Sequence, residues 1–322
     1  MVPTYERADA LGGLLDALSR QTVGADRFEV VIAIDGSRDR TRELVAGYGA
    51  PYALSSLWQE NRGRAAACNA AIRRTRAPIV LILDDDMEPA PECLAAHLDA
   101  HDGTRRCVLG AVPIELRPGD APVAEYFRAK FQAHLERLTD PDHRFVARDF
   151  YSGNVSIPRS LLLGVGLFDE SFTRYGNEDV DLALRLRAAG AEMSYEPRAL
   201  ARQRFDKDLA RALADARAKG QTALLVARKH PASVSELRLG TYEQAGVRRR
   251  ILRRLLLGGS RRSRVLPHLL ERGTLLLERG GVRLPWRYYD LLLDLFFWLG
   301  VERPEDDLLT DDEAAPARLL LH

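Results

Sequence analysis

Residues 82–89 read ILDDDMEP. Three aspartates stand together directly after the aliphatic run Ile79-Val80-Leu81-Ile82-Leu83. A short apolar run of this kind, closed by polar residues, predicts a buried strand. Like charges repel, and a buried carboxylate is costly unless something pairs with it. Asp84, Asp85 and Asp86 therefore belong at the end of a strand rather than inside the core.

The surroundings say which edge that is. Leu11, Leu14, Leu15 and Leu18 follow helical spacing. FEVVIAI (28–34) predicts a second buried strand, and it too ends on an acid, Asp35. DGSRDRTRELVAGYG gives a loop, a helix and a glycine stop, and ENRGRAAACNAAIRRTRA (60–77) a loop and a helix of small residues. After the triple aspartate come a helix in PECLAAHLDAHDG, with Pro91 in its first turn, and a strand in RCVLGAVPI. Alternation of strand and helix predicts an α/β fold with a doubly wound, mostly parallel sheet flanked by helices. Such sheets bind ligands beyond the carboxyl ends of their strands, where Asp35 and Asp84–Asp86 then lie together.

Beyond about residue 120 the alternation stops. An amphipathic helix is expected over 123–138, a strand in DFYSGNVSIPR, a helix opening near Asn177, a short strand in AEMSYEP and a helix over 206–229. The expected domains are 1–230, with a nucleotide-binding half of about 1–115 and an acceptor half of about 116–230, and a helical extension over 231–322. MVPTYER starts as the end of a strand and its exit loop, so a clipped start or a shortened first strand is expected.

The chain has 322 residues, 46% of them hydrophobic and 29% charged, enough for a sizeable core. The net charge of +1 hides an uneven layout. Twelve arginines stand between Arg248 and Arg287 against Glu271 and Glu278, and seven acids between Glu302 and Glu313 against Arg303. The arginines alternate with leucines, so 248–300 is either a peripheral membrane contact, with arginine stems snorkelling, or a helical subdomain with arginine on its wet side. Charge alone does not indicate nucleic acid, and no nucleic-acid motif is present. Cys68, Cys93 and Cys107 are odd in number and widely spaced, which argues against a disulfide framework or zinc site and for a cytoplasmic location. No signal peptide or spanning run of about 20 apolar residues is expected.

VPTYERADALGGLLDALSRQ, AIDGSRDRT, ENRGRAAACNAA, LILDDDMEP and GLFDESFTRYGNEDVDLALRLRAAG, in that order, resemble the motifs of glycosyltransferase family 2, over about residues 2–200. The resemblance implies a GT-A fold and an inverting transfer of sugar from a nucleoside diphosphate to a hydroxyl acceptor of a glycan, a lipid-linked or a small-molecule substrate. It also implies a role for each motif. Asp86 would hold Mg²⁺ or Mn²⁺, and Asp85 or Asp84 would meet the ribose; read alone, these acids could be an exposed turn, with Glu88 and Pro89 as turn residues. Asp35, with Gly36 and Ser37, would meet the base, usually uracil; read alone, it is an Asx-turn or cap residue. Pro3, Thr4 and Tyr5 match the first loop, which touches the nucleotide, while Glu6 stands where the family often has Asn. Asn61, Arg62, Gly63, Arg64 and Asn69 open a helix, a setting that suits phosphate or else a solvated face. Asn177, Glu178 and Asp179 match the family's E-D motif, with Asp179 as general base and Glu178 orienting the acceptor or the base; read alone, they cap a helix. Asp181 is expected on the helix surface.

One departure stands out. Many GT-A enzymes carry a metal-binding His where this chain reads EPRALARQRFDKD. The metal would then have only Asp86 and water, or Arg202 or Arg204 would bind phosphate in its place. His230 is expected to be a surface or packing residue. A degenerate relative that binds nucleotide sugar or scaffolds a membrane complex without turnover is the alternative reading. A nucleotidylyltransferase would want a glycine-rich basic loop that PTYERADALGG does not supply.

Overall fold

The structure is a computed structural model that describes residues 1–302 except 104, 242–245 and 264. The acidic segment beyond Glu302 lies outside the described residues. Among the described residues ten strands and eleven α-helices follow in chain order. They are β1 (Val2–Thr4), α1 (Ala8–Leu18), β2 (Glu29–Asp35), α2 (Thr41–Gly47), β3 (Ala53–Gln59), α3 (Arg64–Arg74), β4 (Ile79–Leu83), β5 (Met87–Pro89) and α4 (Cys93–Asp99). Then come β6 (Arg106–Gly110), β7 (Ile114–Glu115), α5 (Pro122–Leu138), β8 (Asn154–Pro158), α6 (Arg159–Gly164), α7 (Glu178–Ala188), β9 (Glu192–Glu196) and β10 (Ala201–Arg204). The remaining helices are α8 (Leu209–Lys229), α9 (Val247–Arg262), α10 (Val265–Arg279) and α11 (Trp286–Glu302). No described helix is long and apolar enough to cross a membrane.

The described chain divides into two compact units, 1–115 with 128–173 and 178–205, and 116–127 with 174–177 and 206 onward. The first holds the sheet. β1, β2 and β3 pair in parallel, and β4 lies in an order β4-β8-β6-β9 in which β8 is antiparallel to both neighbours. Leu83 N–H donates to Met1 O at 3.1 Å and the Met1 amino group to Leu81 O at 2.7 Å, which joins β4 to β1 in parallel register. The chain thus runs from β1 outward to β3 on one side and from β4 outward to β9 on the other. Strand order reverses between β1 and β4, and beyond the carboxyl ends of strands at such a point α/β sheets form the crevice that takes their ligand. The mostly parallel sheet flanked by helices that the alternation predicts is present, with β8 as an antiparallel member. α1 seals it with Leu11, Leu14 and Leu15, all fully buried, against Ile32, Ile34 and Val30 of β2.

Several local readings need correction. β3 was not anticipated: ALSSLWQ alternates half-buried and exposed positions on the outer edge of the sheet, so no apolar run marks it. Glu88 and Pro89, turn residues in the alternative reading of the acids, belong instead to β5, which pairs with β10. RCVLGAVPI breaks into β6 and β7. Pro91 precedes α4, whose N-cap is Glu92, rather than standing in its first turn. Asp181 is buried at 1% exposure, where Arg185 Nε and Nη2 donate to it at 2.8 and 2.6 Å. Arg185 also donates to Val165 O and Leu167 O, so this pair anchors the loop ahead of α7.

Beneath the sheet, His97 of α4 sits between Asn154 and Ser156 of β8, each at 2.9 Å, and His101 reaches the same Ser156 hydroxyl at 2.8 Å. Burial pushes the His97 imidazole down to about 4 from its ordinary 6.5. As pH falls below 6.5 the unfolded chain takes up this proton and the folded chain does not, so stability falls between pH 6.5 and 4. His97 alone accounts for a loss on the order of 3 kcal/mol. Urea unfolding at about pH 7.5 and 4.5 should show that loss, and His97→Gln should show a smaller one. An equal loss in both proteins would assign the slope to other groups.

In the second unit α8 crosses α11 at two glycines. A Cβ on Gly220 would stand 2.0 Å from Phe297 O, and one on Gly300 2.0 Å from Arg217 O. The backbones meet directly, which brings Leu213, Leu224, Phe297 and Trp298 into one core. Gly220→Ala must push the helices apart and should cost about 3 kcal/mol. A thermal midpoint unchanged by Gly220→Ala would show that the crossing relaxes freely.

Candidate functional site

The crevice is lined from β1, β2, β4 and β10. Thr4 ends β1, and its hydroxyl donates to Asp85 Oδ2 at 2.8 Å. Arg7 opens the next turn, with Nη1 3.3 Å from Asp85 and 3.4 Å from Asp86. Asp85 and Asp86 are 5% and 6% exposed, so these are ion pairs largely removed from water. Burial pushes the Asp85 carboxyl up to about 7 despite Arg7, and the neighbouring Asp86 and Asp84 charges push the same way. Two nearby carboxylates thus share one guanidinium, and the edge as a whole lacks positive charge.

Asp84 turns the other way. It accepts from Arg64 Nη2 at 2.6 Å, and Arg64 Nη1 donates to Ser152 Oγ at 3.0 Å and lies 3.7 Å from Glu178. Burial would lower the Arg64 pKa, but Asp84, then Cys68 and Glu178, outweigh it and raise it well above its ordinary value. One guanidinium at the start of α3 therefore links the acids after β4 to the acids that open α7. Gly153 makes room for this: a Cβ there would lie 2.9 Å from Asp84 Oδ2. Glu178 is buried, whereas Asp179 is half-buried and accepts from Val180 N–H at 2.8 Å. Asn177, with φ at +66°, gives its side-chain amide to Lys219 O and Thr222 Oγ1.

At the end of β2, Asp35 accepts from Gln59 Nε2 at 2.7 Å, Arg62 N–H at 3.0 Å and Gly63 N–H at 2.9 Å. Its carboxylate shapes the 59–63 loop. Gly36 is required there, because its φ is +79° and a Cβ would stand 2.7 Å from Asn61 N. Ser37 Oγ accepts from Glu6 N–H at 2.9 Å, and Glu6 in turn accepts from Arg38 N–H at 2.7 Å. Pro3 is buried in β1, and Tyr5 is exposed at 51%. Arg62 reaches out to Glu170 at 2.9 Å. Asn69 is set apart from the crevice: it is 1% exposed, and its amide exchanges bonds with Phe168 backbone and donates to Glu170. It anchors the 168–170 segment on α3.

Four participants escaped the sequence reading. Arg7 carries the charge on Asp85 and Asp86. Asp39 accepts from Ala8 N–H and from Thr41, and so ties the starts of α1 and α2 together. Burial works against its ionisation, but the Thr41 and Ala8 hydrogen bonds prevail and hold it below the usual carboxylate range. Ser152 braces Arg64. Gln203 donates to Asp86 Oδ2 at 3.3 Å. The period-two alternation of β10 brings Gln203 to Asp86, while Arg202 is exposed and the Arg204 guanidinium lies beside Gly13 of α1. A phosphate role for those two arginines therefore finds no support at Asp86.

The oxygens at this edge suit a hard divalent cation. Mg²⁺ and Mn²⁺ commonly take one or two protein carboxylates and complete their shells with water and substrate phosphate. Among the described residues no group of three or more His, Cys, Asp or Glu is arranged to hold a metal alone. The set therefore fits a cation that arrives with a diphosphate, held on Asp86 with the Gln203 amide beside it.

Residues 1–156 match the family model described as Glycosyl transferase family 2. The likeness to that family thus lies in this segment, just under half of the chain, and the fold is GT-A. Validoxylamine A glucosyltransferase from Streptomyces hygroscopicus subsp. jinggangensis is 32% identical over 219 residues, covering 60% of this chain and 52% of that protein. This chain thus spans about half the length of the curated relatives it first matches. Among solved structures, mannosyltransferase PcManGT from Pyrobaculum calidifontis, in complex with GDP-Man and Mn²⁺, superimposes with a TM-score of 0.59 at 21% identity, covering 96% of this chain and 86% of the other. Residues 1–349 of S. aureus TarS, in complex with UDP-GlcNAc, give 0.53 at 16% identity over 93% and 89%. These likenesses establish the shared fold.

Proposed function

We propose that the chain transfers a sugar from a nucleoside diphosphate donor of the uridine type to a hydroxyl acceptor, with inversion at the anomeric carbon. The observation that carries this reading is the line Asp84–Arg64–Glu178, which couples the acids that follow β4 to the acids at the start of α7. The glucosyltransferase relative and the nucleotide-sugar complexes of the structural neighbours support it.

In this reading the loop shaped by Asp35, Gly36 and Ser37 receives the base, with Pro3, Thr4 and Tyr5 alongside. Asp84 and Asp85 receive the ribose, and Asn61, Arg62 and Gly63 line the phosphate side. Asp86, with the Gln203 amide beside it, would hold Mg²⁺ or Mn²⁺, which would supply charge neutralisation to the departing diphosphate. Asp179 takes the proton from the acceptor hydroxyl. As that proton leaves, the acceptor oxygen bonds to the anomeric carbon from the face opposite the leaving group. The bond from that carbon to the diphosphate oxygen breaks, and its electron pair departs with the nucleoside diphosphate. Glu178, already paired with Arg64, orients Asp179 and the acceptor. The reaction takes place in the cytoplasm, within a transferase domain of about 1–230.

The test is incubation with UDP-glucose, UDP-GlcNAc and GDP-mannose in the presence of Mn²⁺, with nucleoside diphosphate release followed and product configuration read by NMR. A β-linked product from an α-linked donor supports the proposal. A retained α configuration contradicts it. Donor binding with no release from any sugar would favour a binding module that shares the fold.

A further inference from the structure

α9 carries a second apolar stripe, turned outward. A helix with one partner turns its leucines inward and its arginines outward. In α9, Arg253 is 4% exposed and donates to Asp294 at 2.7 Å, while Val247, Ile251 and Leu255 are 61%, 54% and 67% exposed. These three stand four residues apart, on one face. The inward side is also occupied, by Leu257, so the outward stripe is not a misplaced core. α10 repeats the pattern: Val265, Leu269 and Leu276 are 58%, 62% and 68% exposed, while Leu270 and Leu275 pack inward and Thr274 is buried.

The charge around these stripes is mainly of one sign. Arg254, Arg262, Arg272 and Arg279 are exposed, as is Arg261, which pairs with Glu302 at 2.7 Å. Among the described residues of 246–287 the acids are Glu271 and Glu278; both are half-buried, and Glu278 accepts from Tyr289. A second copy of the same surface would bring arginine against arginine. An apolar stripe rimmed by arginine matches a layer that is apolar inside and anionic at its rim.

We propose that α9 and α10 dock the protein on the surface of an anionic lipid bilayer. Leu255, Leu269 and their neighbours on each stripe enter the boundary between headgroups and acyl chains, and the arginines pair with lipid phosphates. The helices lie in the interface and do not span it. The proposal is independent of the transfer chemistry, because no residue of the crevice takes part.

The test is co-sedimentation of the full chain with phosphatidylcholine vesicles, with and without one-quarter phosphatidylglycerol. Each exposed arginine near the surface contributes roughly fivefold in affinity. Binding should therefore be strong on the mixed vesicles, at least tenfold weaker on neutral ones, and weakened by salt. Leu255→Glu with Leu269→Glu should lower binding at least tenfold. Both sites are exposed, so the fold should persist, and an unchanged circular dichroism spectrum and thermal midpoint check that. Arg254→Glu with Arg272→Glu should remove the preference for the anionic lipid. Equal binding by all variants, or none by the parent chain, overturns the proposal. So does a concentration-dependent dimer abolished by the leucine substitutions, which would give the face to a second copy. No vesicle binding by a monomeric parent chain would leave the face to the chain's own acidic residues beyond 302.

Discussion

Asp179→Asn should lower kcat for sugar transfer by about 10³-fold and leave donor affinity within twofold. A positioned general base contributes about 10² to 10⁴ in rate. The substitution keeps the shape, and the asparagine oxygen can still accept from Val180 N–H, which Asp179 does now at 2.8 Å. What disappears is the capacity to take a proton from the acceptor. Glu178→Gln serves as the comparison. Glu178 is buried at 6% exposure beside Arg64, an environment for a fixed charge rather than one exchanged with substrate. Its effect should be smaller and should include a change in acceptor KM. Steady-state kinetics on both variants decide the assignment. A drop below tenfold for Asp179→Asn, with a large drop for Glu178→Gln, would exchange their roles.

Asp86→Ala should weaken binding of the nucleoside diphosphate about 100-fold in the presence of Mn²⁺, or about 2.7 kcal/mol. Asp86 is the acid that Arg7 and Gln203 both address, at 3.4 and 3.3 Å. Its removal takes away the carboxylate to which a cation would bridge a phosphate. It also relieves the repulsion that helps to raise Asp85 to about 7, so the thermal midpoint should stay within a few degrees. Weakened binding in a stable protein separates loss of the site from loss of the fold. Affinity should also cease to depend on Mn²⁺. An Asp86→Ala protein that still binds tenfold more tightly with Mn²⁺ would place the cation elsewhere.

Much of the first unit was legible because its strands are continuous apolar runs. FEVVIAI and PIVLIL read as buried strands and form β2 and β4, each with an acid at its end. β3 was not legible, because an edge strand half in water carries no such run. β5 and β10 are three and four residues long, too short for periodicity to register. Their pairing still decides a site residue: it turns Gln203, rather than Arg202 or Arg204, toward Asp86. Order along the chain singled out Asp84–Asp86, Glu178 and Asp179 as candidates. It could not reveal that Arg64 spans them, since residues 64, 84 and 178 meet only through the sheet. Asn69 shows the converse error. A helix-start motif suggested phosphate, but the amide is occupied by the 168–170 segment. Asp181 was placed on the surface because its charge hid its position facing Arg185 under the loop ahead of α7. The α8–α11 crossing rests on Gly220 and Gly300, where only three dimensions show that a Cβ does not fit.

The most direct test of the edge defined by Asp84–Asp86 is a calorimetric titration of the full chain with UDP, in Mn²⁺ and again in EDTA. Saturable binding that is at least tenfold tighter with Mn²⁺ is the expected result, and it would establish a cation-assisted nucleoside diphosphate site. Equal binding in EDTA would contradict a role for the acids as cation ligands, and absence of binding by UDP and by GDP alike would contradict the donor site itself.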